Sequence, residues 1–285
     1  MRVIYMRIKS EKLRAYYRFK DNYTMGSNIF PWIRKRVKSS LKKNIVKELV
    51  RTCNNFLIPV SSIDSATRHV QVRGSIDLSM EWIIKRYVKQ GSVAVDVGAN
   101  LGFLSLCMAE RVGYIGKVYS IEPNSNLHPY LKELLYLNAI NNVEIVHCAC
   151  SDEEGTVRFE IDESDHSKSR IGDKGEYQIK AMPLDTILAE NDNIISFIKV
   201  DVEGHEPSVL AGAIKTLKSH RPTLVFETGA HSESDISKIH NILHGAQYDV
   251  IGVINDWGIE EKTLTVRMTN KTHCNVLALP RRNQL

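Results

Sequence analysis

Apolar positions along the chain follow two different periods. Short, nearly unbroken apolar runs at Val93 to Val97, Lys117 to Ile121, Val143 to Cys148, Ile194 to Val200 and Thr223 to Phe226 read as buried parallel strands. Between them apolar residues recur every three or four positions, which predicts helices. Met80, Ile83, Ile84, Tyr87 and Val88 mark a helix over Leu78 to Val88, and Leu101, Leu104, Met108 and Val112 mark one directly after the first run. Leu131, Leu134, Leu135 and Ala139 form the inner face of a helix over Leu127 to Ile140. Val209, Leu210, Ala213 and Leu217 do the same for a helix whose first turn holds Pro207, where the missing N–H is harmless. Ile236 to Leu243 is a further helix. Alternating runs at Thr156 to Ile161 and Tyr177 to Met182 predict a hairpin around a polar loop, residues 162–175. Tyr248 to Ile254 and Asn275 to Leu279 close the sheet as an antiparallel pair. Phe56 to Val60 and His69 to Val72 read as short strands ahead of the main domain. The alternation predicts a doubly wound, Rossmann-like α/β sheet, mostly parallel with an antiparallel last strand, binding its ligand outside the carboxyl ends of the strands.

The front of the chain differs. After Pro31, the residues Ile33, Val37, Leu41, Ile45 and Leu49 repeat every four among lysines and arginines, the pattern of a basic amphipathic helix. Residues 1–51 hold 15 Lys+Arg against 3 Asp+Glu, while the remainder holds 23 against 30, so the formal charge of +5 hides a basic arm and a mildly acidic body. We divide the chain into an arm, residues 1–65, and a main α/β domain, residues 66–285. The apolar stripe of the arm suits packing on the body or on a second subunit, giving a homodimer. Its charge equally suits an anionic membrane surface or another polyanion, contacted through residues 1–60. No apolar run approaches the roughly 18 residues of a membrane span, and Arg2, Arg7 and Lys9 interrupt any signal-peptide core. The five cysteines contain no C-x-x-C pair, which argues against zinc or a disulfide framework and for reduced thiols in a cytoplasmic protein, with peripheral membrane contact left open.

Candidate chemistry centres on Val93 to Gly102, where a strand carrying Asp96 runs into a turn with Gly98, Asn100 and Gly102 and then into a helix. A dinucleotide site needs G-x-G-x-x-G to cradle a pyrophosphate. The pattern here is Asp-x-Gly-x-Asn-x-Gly. An acid on the strand would repel pyrophosphate but suits the cationic aminoacyl end of S-adenosylmethionine, directly or through water. Glu122 ends the next strand, where an acid can bond two ribose hydroxyls. The third strand runs into Ala149-Cys150-Ser151-Asp152, the position of an adenine in this architecture.

The fourth strand ends in Asp201-Val202-Glu203-Gly204-His205-Glu206. An acceptor that must lose a proton as it takes a methyl group, such as a hydroxyl, gains from a general base. His205 has a suitable ordinary pKa, against the plainer reading of a histidine bonded to a neighbouring carboxylate. Asp201 stands where an acid would touch acceptor or cofactor. Glu203 or Glu206 is placed to cap the following helix, and Glu227 ends the fifth strand on the same rim. Asp201, Glu203 and Glu227 could gather around Mg²⁺, but nothing in their spacing demands it, and metal-independent chemistry is expected. Lys199 completes a lysine–acid set of the kind that ribose O-methylation would use. It alternates to the opposite side of its strand from Val200 and is expected beside Asp201 only if the strand ends bend.

Seven segments together resemble the FkbM family of S-adenosylmethionine-dependent methyltransferases: VDVGANLGFLSL (95–106), IEPN (121–124), Leu137-Asn138, NVEIVHCACSDEEG (142–155), PLDTIL (183–188), IKVDVEGHEPSVLAGA (198–213) and RPTLVFE (221–227). They run in the family's order over roughly residues 75–280. One departure is that the family's frequent aromatic–acid pair before the glycine turn is Ile76-Asp77 here. The resemblance implies a class I methyltransferase sheet, with Asp96, Gly98, Asn100 and Gly102 holding the methionine part of the cofactor. It further implies that Glu122 takes the ribose and that Ala149, Cys150 and Asp152 flank the adenine. Family members commonly methylate hydroxyls of sugars or polyketide-type products, so the expected acceptor is a hydroxyl-bearing sugar, glycan or small molecule. Two rivals stand beside it: an RNA ribose O-methyltransferase using the basic arm, and an inactive binding module of the same fold.

Overall fold

The computed structural model describes residues 48–60, 67, 70, 74, 75, 77–162, 166, 169–229, 231–255, 258–261 and 273–281. The chain divides into two compact units, Met1–Asp77 and Leu78–Leu285. In the first, strand β1 (Glu48–Arg51) pairs antiparallel with β2 (Leu57–Val60), Glu48 opposite Val60. The amphipathic helix expected from Ile33 onward lies outside the described residues up to position 47. Its last apolar position, Leu49, belongs to β1, so the four-residue repeat does not continue as helix that far. Thr67 and Val70 are helical, against the strand expected over His69 to Val72; a short apolar run does not by itself separate the two states.

The second unit is built on an eight-stranded sheet. Its strands are β3 (Val93–Val97), β4 (Lys117–Ile121), β5 (Val143–Val146), β10 (Ile195–Val200), β11 (Thr223–Thr228), β12 (Tyr248–Asn255), β13 (Gly258–Glu260) and β14 (Cys274–Pro280), in the spatial order β13-β12-β14-β11-β10-β3-β4-β5. The five strands from β11 to β5 run parallel, and β14, β12 and β13 are added antiparallel. Helices α1 (Leu78–Tyr87) and α2 (Phe103–Val112) cover one face, where Met80, Ile83, Met108 and Val112 meet Ala94, Val118, Phe197 and Val225. Helices α5 (Glu206–Ala211), α6 (Ile214–His220) and α7 (Glu233–Gly245) cover the other, against Val95, Val97, Ile198 and Val200. Burial on both faces is why β3 and β10 are apolar except at Asp96, Ser196 and Lys199.

Three expectations change. The third strand is shorter than predicted: Val143–Val146 stays in the large sheet, while β6 (Ala149–Cys150) crosses to a four-stranded sheet with β7 (Gly155–Glu160), β8 (Arg170–Ile171) and β9 (Tyr177–Met182), in the order β6-β9-β7-β8. The predicted β7–β9 hairpin is present, and its loop contributes β8 as an extra strand. The helix after the fourth strand is two helices, broken at Gly212. A Cβ on Gly212 would come within 2.0 Å of the Ser151 carbonyl oxygen, so the chain turns here against the segment that follows β5. Helix α3 (His128–Leu137), preceded by a 3₁₀ turn at Ser125–Leu127, ends before Ala139, and the short α4 (Leu184–Ile187) follows β9. Ala139 is exposed at φ 55° rather than on the inner face.

Candidate active site

The carboxyl ends of β3, β4, β10 and β11 bring Asp96, Glu122, Asp201 and Glu227 to one rim. Strand register explains part of the grouping. Asp96 lies opposite Ser120 on one side and Lys199 on the other, and Lys199 lies opposite Val225. Residues two apart on a strand share a face, so Asp201 follows Lys199 and Glu227 follows Val225 on the α1/α2 side. That corrects the expected placement of Lys199. Alternation itself puts it beside Asp201, without any bend: Lys199 Nζ is 3.3 Å from Asp201 Oδ2, 3.5 Å from Asp96 Oδ1, and donates to the Gly98 carbonyl at 3.0 Å. Burial pulls the Lys199 pKa down, but Asp201 and Asp96 more than offset it, and the ammonium is held above its ordinary range.

Asp96 is wholly buried. Ser105 Oγ donates to its Oδ2 at 2.6 Å, and Ser105 also stands 2.9 Å from Ser120 Oγ. Burial raises the Asp96 pKa, opposed by Lys199 and the Ser105 hydrogen bond. Beyond it the turn takes the left-handed conformation three times, at Gly98 (φ 75°), Asn100 (φ 50°) and Gly102 (φ 81°). Both glycines are needed for packing. A Cβ on Gly98 would fall 1.8 Å from the Asp201 carbonyl oxygen, and one on Gly102 would fall 2.6 Å from Leu131 Cγ on α3. Glu122 Oε2 accepts from Asn100 N at 2.7 Å and Oε1 from Asn124 N at 2.8 Å, so the acid of the second strand ties the glycine turn to the loop after β4. Burial pushes the Glu122 carboxyl up to about 7 in spite of these two donors.

The fourth-strand loop separates into two groups. Glu203 (φ 53°) and Gly204 (φ 102°) make a tight turn. Glu206 folds back under it, accepting from Val202 N at 2.8 Å and Gly204 N at 3.1 Å, and pairs with His231 Nε2 at 3.1 Å. Glu206 therefore braces the preceding loop, whereas Glu203 or Glu206 was expected to cap α5, which has no side-chain cap. Burial lowers the His231 pKa and the Glu206 hydrogen bond raises it, with a net rise. Asp201, Glu206 and Glu227 each bring a carboxylate oxygen to within 4.8 Å of the others, as do Glu203, Glu227 and His273 through one donor atom each. His273 Nδ1 is 3.3 Å from Glu227 Oε2. Burial, then repulsion from Asp201, Glu203 and Glu206, raises Glu227 to about 9. Burial and Asp201 likewise raise Glu203.

His205 belongs to the second group. Its Nε2 is 3.0 Å from Ser151 Oγ, which donates to Asp152 Oδ1 at 3.0 Å. Burial lowers its pKa, opposed by Asp152 and Glu206. Ala149 and Cys150 are buried in β6, paired with Ala181 and Met182, and Asp152 is exposed beside them. Sequence reasoning therefore found the rim acids and put Ser151 in the adenine segment, but missed its contact with His205 and missed Ser105, His231 and His273, which are ordinary polar residues until strand register and helix contacts place them.

An S-adenosylmethionine fits the donors and acceptors present. Two buried atoms beside the glycine turn, Asn100 Oδ1 and Asn124 Nδ2, have no hydrogen-bond partner among the described residues. One acceptor and one donor are thus open next to Glu122, and buried polar groups are costly to leave so. No described helix is long and apolar enough to cross a membrane.

The profile of the methyltransferase FkbM domain matches residues 96–250. No curated protein sequence matches the chain. Among solved structures, the chain is similar to methyltransferase FkbM from Methylobacillus flagellatus KT, with 17% identity, a TM-score of 0.45, and coverage of 74% of this chain and 54% of that one. It is also similar to a SAM-dependent methyltransferase from Aquifex aeolicus, with 17% identity, a TM-score of 0.39, and coverage of 70% and 88%. A third is Aeropyrum pernix fibrillarin in complex with natively bound S-adenosyl-L-methionine, with 12% identity, a TM-score of 0.42, and coverage of 67% and 68%. The chain thus spans about half the length of the FkbM structure, and at these scores the likenesses say nothing of activity or acceptor. The profile match is of another kind: it covers more than half of the chain and runs from Asp96 past Glu227, and by it this chain belongs to the FkbM family of S-adenosylmethionine-dependent methyltransferases.

Proposed function

We propose that this protein methylates a hydroxyl group of a sugar, glycan or natural-product acceptor, without a metal ion. The observation that carries the reading is the unequal pair at the rim. Asp201 is held by Lys199 at 3.3 Å, while Glu227 is pushed up to about 9 and is protonated at neutral pH. A carboxyl raised in this way keeps its proton and can donate a hydrogen bond, leaving proton acceptance to the acid beside it.

Asp96, Gly98, Asn100, Gly102 and Glu122 would hold the cofactor, with Ala149, Cys150 and Asp152 along its adenine. When bound, the cofactor supplies an electrophilic methyl carbon. Asp201 accepts the proton that the acceptor hydroxyl loses as its oxygen gains the new bond. Protonated Glu227 donates to a second acceptor oxygen, which favours a molecule with adjacent hydroxyls, as in a sugar. Glu203, on the positive-φ turn between them, lines the acceptor side. Keeping water out and fixing the acceptor in line account for the rest.

The second reading, methylation of an RNA ribose, draws on the 15 Lys+Arg of residues 1–51. An anionic membrane surface or another polyanion is the other partner that this charge suits, and a homodimer is the remaining use of the arm. Against the ribose reading, Lys199 is buried and engaged by Asp96, Asp201 and the Gly98 carbonyl, so it is not free to activate a substrate hydroxyl. Transfer of label from methyl-labelled cofactor onto glycans, lipid-linked sugars, small polyols and RNA, tested side by side, decides. Label on saccharide is expected; label on RNA alone, surviving in an Asp201→Asn variant, would overturn the proposal.

A further inference from the structure

Ser151 is held by its main chain on two sides. Its N–H donates to the Met182 carbonyl at 3.0 Å, and its own carbonyl rests against Gly212, where a Cβ would approach to 2.0 Å. The hydroxyl is therefore aimed by backbone that belongs to β9 and to the break between α5 and α6. It donates to Asp152 Oδ1 at 3.0 Å and meets His205 Nε2 at 3.0 Å. A serine hydroxyl has one proton. With that proton given to Asp152, the oxygen accepts from His205, and the imidazole carries its hydrogen on Nε2. A directed chain of hydrogen bonds thus runs from the fourth-strand loop to the segment beside the adenine position. The charged groups acting on His205 are Asp152 and Glu206, and of these only Glu206 belongs to the cluster with Asp201 and Glu227.

We infer that Ser151 and His205 are positioning residues for cofactor selectivity: they orient the Asp152 carboxylate so that its second oxygen accepts a hydrogen bond from the 6-amino N–H of adenine. This rests on the cofactor placement proposed above. It assigns His205 to the nucleoside side of the site and leaves the acceptor proton to Asp201.

The two assignments differ in what calorimetry reads. Full-length protein and its variants are titrated with S-adenosylhomocysteine and with S-inosylhomocysteine, which has a carbonyl in place of the 6-amino group. The parent protein should prefer the adenosyl compound. Ser151→Ala and His205→Ala should each weaken it by roughly tenfold, the scale of a hydrogen bond to a charged group, and leave the inosyl compound nearly unaffected. Ser151→Thr and His205→Gln, which keep a hydroxyl and a donor, should recover most of the preference. Nitrogen NMR should find His205 protonated on Nε2, with a mixture of tautomers in Ser151→Ala. Unchanged adenosyl affinity in His205→Ala, or an equal loss for both compounds, overturns the inference while leaving the cofactor site intact. Failure of the parent protein to bind either compound overturns both.

Discussion

Gly98 and Asp201 lie in contact through their backbones, the Cα of one against the carbonyl of the other. The Asp201 N–H also donates to the Val97 carbonyl at 3.0 Å, so the first and fourth strands stay joined past their last apolar residues. A methyl group added at Gly98 meets this carbonyl at 1.8 Å in a left-handed conformation. Gly98→Ala is expected to cost about 2–5 kcal/mol from overpacking and backbone strain together. It should also abolish cofactor binding. Urea unfolding and calorimetry check the two effects separately.

Lys199 is a buried cation between two carboxylates. Lys199→Met should destabilise by about 3–5 kcal/mol, because Asp96 is then left charged, buried and without its partner. Adding Asp96→Asn should recover part of that loss. A double-mutant cycle in chemical denaturation measures the coupling, and additive losses would show that the pair is not coupled.

How much of this site was legible beforehand is clearest at Lys199. The mostly parallel sheet, the glycine turn and the rim acids follow from pattern, because buried parallel strands need apolar runs and any acid within them stands out. Lys199 stood out too, but the neighbour that decides its role, Asp96, lies on an adjacent strand, and only register brings the two together. The Ser151–His205 contact is less legible still. It depends on the third strand leaving the large sheet after Val146, which the apolar run to Cys148 does not betray. The arm charge was plain from composition, yet charge does not say what it meets.

Glu122 offers a pH test. Its carboxyl is raised to about 7 by burial. Ribose hydroxyls would donate to the ionised form, so binding should strengthen as pH rises through 7. Affinity for S-adenosylhomocysteine is expected to increase from pH 6 to pH 8 by several-fold, and the trend should vanish in Glu122→Gln. A pH-independent affinity in the parent protein would place the ribose elsewhere.

Glu227 acts on stability in the opposite direction. A carboxyl raised from 4.5 to about 9 on folding contributes stability that is complete below 4.5 and is lost as pH rises through about 9. Between pH 6 and pH 9 the parent protein should therefore lose more stability than Glu227→Gln. Denaturant midpoints at those two pH values compare them.

The migration of Ala149 and Cys150 into the small sheet has a mechanical outcome. These two residues answer to the hairpin, and the glycine turn answers to the large sheet, so a cofactor placed as proposed would rest its adenine and its methionine part on separate frameworks.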